Sequence, residues 1–353
     1  MNLFRAPSGP VVGVALGGGG AAALAEIGVL EVFASAGIPV VCVAGTSAGS
    51  IVGAAFAAGR LDGLREAMCS LTRRRAIWLF DPVWPRLALF EGRSSMEFIR
   101  PYVGENVEDL PLPFAAVAAD LDNGEEIVIQ SGPVTDAIRA SVAVPGLFTP
   151  HRLDGRWLVD GGLVNPLPVS VARQLGATFV IAVSVLPIGD RTHDSLFAAY
   201  RAARERWLSV PLLARLLRRD AQQALATVVE ADESPAAALV AKQRRLSAVL
   251  SQASKVVQGR IAASRLREEP PDFLVSVPLP DIGLFDFHCV ADAVTCGRQT
   301  AEAALPELRA VLTEGSRRSR IRSLGRWWPR RIVGPRPGVP AHRSALRASS
   351  GRG

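Results

Sequence analysis

VVGVALGGGGAAALAEIGVLEVFASAGIPVVCVAGTSAGSIVGAAFAAG, residues 11–59, decides the fold class. The run from Val11 to Leu16 is short, β-branched and apolar on both faces, as a central strand of a parallel sheet requires. Four glycines follow, Gly17 to Gly20. Leu24 to Ala36 then has helical length and stops at Gly37, with Pro39 just beyond. Val40 to Ala44 is a second strand, and Gly45-Thr46-Ser47 turns into a small-residue helix ending near Gly59. Strand, loop, helix, strand, turn, helix is an α/β signature.

Further along, PFAAVAAD (113–120) reads as a strand, Asp122-Asn123-Gly124 as a turn, and EEIVIQ (125–130) as the hairpin partner. Helices are expected over 133–143 and 169–176, and strands over 156–160 and 178–185. From 190 to 268 alanine, leucine and arginine recur with helical periodicity, which predicts a helical insertion or cap. Strand character returns at 272–279, and 290–313 reads as a closing helix. The expected organisation is an N-terminal extension (1–10), a core (11–189), the insertion (190–268), a completion of the core (269–314) and a tail (315–353).

The tail is basic and rich in Arg, Gly, Pro and Ser, a disordered composition. It holds eleven Arg and no acid, so removing it from the formal net charge of +7 leaves −4 on residues 1–314. Arg residues flank Trp327 and Trp328, which suits an anionic membrane interface. The same charge would attract nucleic acid without specificity; a solvated tail with no partner is the plain alternative.

Hydrophobic residues make up 49 % of the 353, enough for a large core. Residues 32–59 are uncharged and long enough to span a bilayer, but Pro39 and the polar stretch at 45–50 divide them into strand and helix. The N-terminal apolar run mimics a signal peptide until the four glycines interrupt it. Four cysteines without a CxxC pair fit a reduced, cytoplasmic setting, with the tail as a peripheral contact to the inner membrane surface. His288, Cys289 and Cys296 lack zinc-site spacing, and no metal or other cofactor is expected.

Gly45-Thr46-Ser47-Ala48-Gly49 is GxSxG between an apolar strand and a helix. A serine thrust from so tight a turn needs neighbours without Cβ, here Gly45 and Gly49, and the following helix aims its positive end at the reacting centre. The alternative is a glycine-lined packing turn. Two functional readings compete for Gly17 to Gly20. Backbone N–H groups of Gly18, Gly19 and Gly20 would form an oxyanion hole. Gly18 to Ala23 also satisfies the G-x-G-x-x-A dinucleotide pattern, but no acidic residue lies between Val32 and Leu61 to hold a ribose. Asp160-Gly161-Gly162 ends a strand and reads either as a β-turn or as a carboxylate base facing Ser47. His151, His193 and His288 would formally serve a triad, yet none has a motif around it.

Together LGGGGAAALAEIGVL (16–30), GTSAGS (45–50), AIRASVAVPGLFTP (137–150) and WLVDGGLVNPLPV (157–169) resemble the patatin-like phospholipase family. The resemblance covers roughly residues 10–187 and, more faintly, 272–314. It implies a three-layer α/β/α sandwich with a mainly parallel sheet and a Ser–Asp dyad. By position Ser47 is the nucleophile, Asp160 the base in a DGG motif with Gly161 and Gly162, and Gly18, Gly19 and Gly20 the oxyanion amides. A lipid or other acyl ester is the implied substrate and an acyl-enzyme the intermediate. The chain departs from the family pattern at Ala22 and Ala23, where a basic residue and a glycine usually stand. Glu26 occupies a position where bacterial members often carry histidine. A lost positive charge would lower activity and Ala23 would crowd the helix, so a weakened, membrane-associated binding homologue is the alternative.

Overall fold

The computed structural model describes residues 10–72, 75–76, 79–83, 88–186, 253–279 and 282–325, with 314–325 as backbone alone. Eight strands form one sheet: β1 (Val12–Leu16), β2 (Val40–Thr46), β3 (Phe114–Asp120), β4 (Glu126–Ile129), β5 (His151–Leu153), β6 (Arg156–Asp160), β7 (Phe179–Ser184) and β8 (Phe273–Ser276). Their order is β5-β6-β3-β2-β1-β7-β8, with β4 also paired to β3. The pairings among β3, β2, β1, β7 and β8 are parallel, while β4 and β6 pair with β3, and β5 with β6, antiparallel. The sheet is therefore mixed, parallel at its centre and antiparallel at one end.

Burial on both faces explains the unbroken apolar runs. Val14, Leu16, Val43, Phe114, Ala116, Ile181 and Val183 point to one face. The alternate residues Ala15, Ala44, Ala115, Val117, Val180 and Ala182 point to the other. The first face is covered by α1 (Ala25–Ser35), α2 (Ala48–Ala57) and α8 (Val290–Gly325), through side chains such as Ile27, Val52 and Val294. The second is covered by α6 (Val169–Gln174) and by α7 (253–268), through Val171, Ala172 and Leu266. This is a three-layer α/β/α sandwich. α1 and α8 cross so closely that a side-chain carbon at Gly28 would run into the Val294 carbonyl, and one at Gly297 into that of Ala25.

Three further helices pack against α2: α3 (Leu61–Cys69), α4 (Arg93–Val103) and α5 (Val134–Ser141). The stretch Gly20–Leu24 is a 3-10 turn ahead of α1. The closing helix continues to Gly325, beyond the boundary expected at 314. Residues 316–324 contain neither Gly nor Pro, and Arg is a good helix former, so composition alone misplaced that end. Within the expected insertion, 253–268 is helical as α7; residues 190–252 lie outside the described residues, as does the Trp327–Trp328 segment. Among the described residues no helix is long and apolar enough to cross a membrane.

Candidate active site

The register of β3 brings two distant segments together. Val117 pairs with Thr46 of β2 and Val128 of β4, and Ala118 pairs with Asp160 of β6 and Ile127 of β4. β4 thus occupies one edge of β3, while β2 and β6 share the other, meeting C-terminus to C-terminus. Ser47 follows Thr46 at one side of that junction, and Asp160 closes the other.

Across the junction Ser47 Oγ donates to Asp160 Oδ2 at 2.7 Å, and the Gly162 N–H donates to Asp160 Oδ1 at 2.6 Å. Asp160 is fully buried. Burial pushes its carboxyl up to about 6, against the two hydrogen bonds that favour the ionised form. Ser47 sits at φ 54°, a backbone region that non-glycine residues occupy only under strain. Its turn is packed backbone on backbone: a carbon added at Gly45 would lie 2.6 Å from Gly49 O, and one at Gly49 2.5 Å from Gly17 O. One added at Gly161 would strike the Val117 carbonyl.

Ser141, at the end of α5, fixes the nucleophile turn from below. Its Oγ accepts from the Ser47 N–H at 2.8 Å and donates to Val117 O at 2.6 Å. Its position in the AIRASVAVPGLFTP stretch was its one sequence signal.

The glycine loop lies beside this turn, with a carbon at Gly18 falling 3.2 Å from Ser47 Cβ. Of the three amides expected there as donors, that of Gly18 is already bonded to Pro166 O at 3.1 Å. Among the described residues the amides of Gly19 and Gly20 meet no acceptor, and Ala21 N–H goes to Leu284 O at 3.0 Å. Ala22 and Ala23 are buried in the 3-10 turn, which accommodates the Ala23 methyl group. Beneath the loop Glu26 is wholly buried, its Oε1 accepting from Gly17 N–H at 2.8 Å and its Oε2 without a partner among the described residues. Burial holds its carboxyl well above the ordinary glutamate range.

A cavity of about 70 Å³ adjoins Ser47. Its walls are largely apolar, with Ile51, Phe80, Met96, Val144, Phe148 and Phe285 among them. Phe80, Phe90, Phe148 and Phe285 stack against one another with centroids 5.0–6.4 Å apart. Arg139 holds this wall together, donating to Glu91 O at 2.6 and 3.0 Å and to Thr149 O and Oγ1 at 2.9 and 2.8 Å. Burial lowers its pKa. Outside the cavity lining, Gln258 of α7 brings a buried carboxamide to Gly18 and Gly162. No sequence motif announced it.

The remaining candidates lie elsewhere. His151 on β5 faces Asp136, with Nε2 3.5 Å from Oδ1, and burial lowers its pKa. His288 lies by Asp286, and His193 falls outside the described residues. Cys296 Sγ donates to Pro278 O, and no cluster of three metal-ligating side chains forms among the described residues.

A family model described as patatin-like phospholipase matches residues 14–173. An uncharacterized NTE family protein of Mycobacterium bovis is 32 % identical over 334 residues, spanning 85 % of this chain and 93 % of the relative. Patatin-like phospholipase domain-containing protein 6 of Homo sapiens is 35 % identical over 198 residues, 52 % of this chain and 14 % of the relative. Among solved structures, VipD from Legionella pneumophila aligns with a TM-score of 0.41 at 13 % identity, over 85 % of this chain and 67 % of that one. The chain belongs to the patatin-like phospholipase family.

Proposed function

We propose that this chain is a lipid acyl hydrolase of the phospholipase A or esterase type, acting through an acyl-enzyme on Ser47 with Asp160 as base. The observation that carries the reading is the 2.7 Å hydrogen bond from Ser47 Oγ to Asp160 Oδ2 beside an apolar cavity. Family membership supports lipid-ester chemistry.

Ser47 Oγ attacks the ester carbonyl carbon while its proton passes to Asp160 Oδ2. An ordinary aspartate is a feeble base near neutrality, but one raised to about 6 is ionised at pH 7 and still takes a proton readily. The oxyanion forms against the amides of Gly19 and Gly20, which have no partner within the described residues, and at the positive end of α2. Gly18 serves as the wall that lets the loop approach Ser47. Asp160 returns the proton to the departing alcohol, and water releases the acyl group by the same route in reverse. The acyl chain lies in the phenylalanine-lined cavity. The Arg- and Trp-bearing tail would seat the protein on an anionic cytoplasmic membrane surface.

Ala22, where the family usually carries a basic residue, favours the second reading, a weakened homologue that binds lipid without turnover. A fluorophosphonate probe separates the two. Labelling of wild type that Ser47→Ala and Asp160→Asn both abolish, with folding intact, is the expected result. Folded wild type that never labels, with or without liposomes, would move the assignment to the binding protein.

A further inference from the structure

Gln258 projects from α7 and is 5 % exposed. Its Nε2 donates to Ser254 Oγ at 2.9 Å, one turn away on the same helix. Its Oε1 takes no hydrogen bond from any described residue. The carboxamide lies between the two glycine segments that flank the dyad. A carbon added at Gly162 would sit 2.5 Å from Gln258 Nε2 and 2.8 Å from Asp160 Oδ1. One added at Gly18 would sit 3.2 Å from both Gln258 Oε1 and Ser47 Cβ. Oε1 is thus an acceptor that no described donor occupies, set beside both members of the dyad. The acyl cavity lies elsewhere, since Gln258 does not line it.

We propose that Gln258 Oε1 receives the water that cleaves the acyl-enzyme and so selects water over an alcohol as acyl acceptor. The inference rests on the Ser47–Asp160 reading and goes beyond it. In the deacylation step the water oxygen attacks the acyl carbon, one hydrogen passes to Asp160, and the acyl–Oγ bond breaks as Asp160 returns that proton to Ser47. Water has a second hydrogen, which Gln258 Oε1 accepts. An alcohol has one hydrogen and must give it to Asp160, so it leaves Oε1 unsatisfied and meets its own carbon substituent there. The carboxamide thus biases the protein toward hydrolysis and away from acyl transfer.

The test is a partition measurement on full-length protein with p-nitrophenyl butyrate at fixed methanol, read as butyric acid formed per methyl butyrate formed. This ratio is set after acylation, so a general loss of activity leaves it unmoved. Losing one hydrogen bond to the water should lower the ratio about tenfold in Gln258→Ala. Gln258→Met, which fills the space without an acceptor, should lower it comparably, while fluorophosphonate labelling of both variants stays near wild type. An unchanged ratio in either labelled variant overturns the proposal. Variants that fold but no longer label also overturn it, because Gln258 would then serve acylation. If wild type itself fails to label, the dyad reading falls first and this inference with it.

Discussion

Two carboxyl groups lie buried on either side of the glycine loop, and the fold treats them differently. Asp160 ends β6 at the strand junction, and Glu26 sits in the first turn of α1 beneath Gly17. Both have no exposed surface, and burial raises both. Asp160 receives two donors, the Ser47 hydroxyl and the Gly162 amide, and comes to about 6. Glu26 receives one, a Gly17 amide shared with Val183 O, and goes well above its ordinary value. Burial is alike for the two groups; what differs is the number of donors that favour the ionised form. With its two donors Asp160, at about 6, is ionised at neutral pH; Glu26, with one donor, is shifted by burial toward its neutral form.

The largest expected effect tests the Asp160 side of this contrast. Ser47→Ala and Asp160→Asn should each cut ester turnover by about a thousandfold or more, and the double variant should lose little beyond either single one, as for groups that act as a unit. Steady-state hydrolysis of a p-nitrophenyl ester measures all three. Asp160→Asn retaining a tenth of wild-type turnover would place the base elsewhere.

The pH dependence comes next in size. Only ionised Asp160 accepts the serine proton, so kcat/KM should be flat from pH 7 to 8 and fall about tenfold per unit well below pH 6. Stability runs the other way. The folded value of about 6 lies above the reference 3.8, so the contribution of this group is complete below 3.8 and is lost as pH rises through 6. That difference corresponds to roughly 3 kcal/mol. Asp160→Asn, which mimics the protonated form, should therefore unfold at higher urea than wild type at pH 8 and match it near pH 3.5. A variant less stable than wild type at pH 8 would mean that the ionised carboxylate holds the junction together.

What could be read in the sequence follows from how local each cause is. β1, β2, β3 and β7 were legible because strands buried on both faces must be apolar throughout. The turn at Ser47 was legible because part of its constraint lies within the motif, where Gly45 packs on Gly49 and Ser50. The partner of Ser47 stands 113 residues away; its strand-end position left it open between turn and base, and the family pattern favoured the base. Ser141, 94 residues from Ser47, acts through a backbone contact that leaves no periodicity. Gln258 becomes visible once α7 is laid on the sheet, since its meaning depends on Gly18 and Gly162. The occupation of the Gly18 amide by Pro166 O is likewise a fact of tertiary placement. The cavity draws Phe80, Phe148 and Phe285 from three separate segments.

The smallest expected effect tests the Glu26 side. If Glu26 keeps its proton, Glu26→Gln exchanges one neutral acceptor of the Gly17 amide for another of the same shape. Activity at pH 7 should then stay within about threefold of wild type, the scale of a small change in a single hydrogen bond. Stability gives the sharper reading. Wild type must hold a proton in the folded state that its unfolded chain releases above the ordinary glutamate range, so it loses stability as pH rises past 4.5. The glutamine variant has no such proton to hold. Its advantage in urea should be absent near pH 4 and should widen toward pH 8, as for Asp160→Asn, while its ester turnover survives. Two buried carboxyls would thus give the same stability signature and opposite activity, which is the contrast their hydrogen-bond partners imply. A Glu26→Gln variant that folds normally but loses turnover would break it, and would make the charge of Glu26 part of the chemistry at the glycine loop.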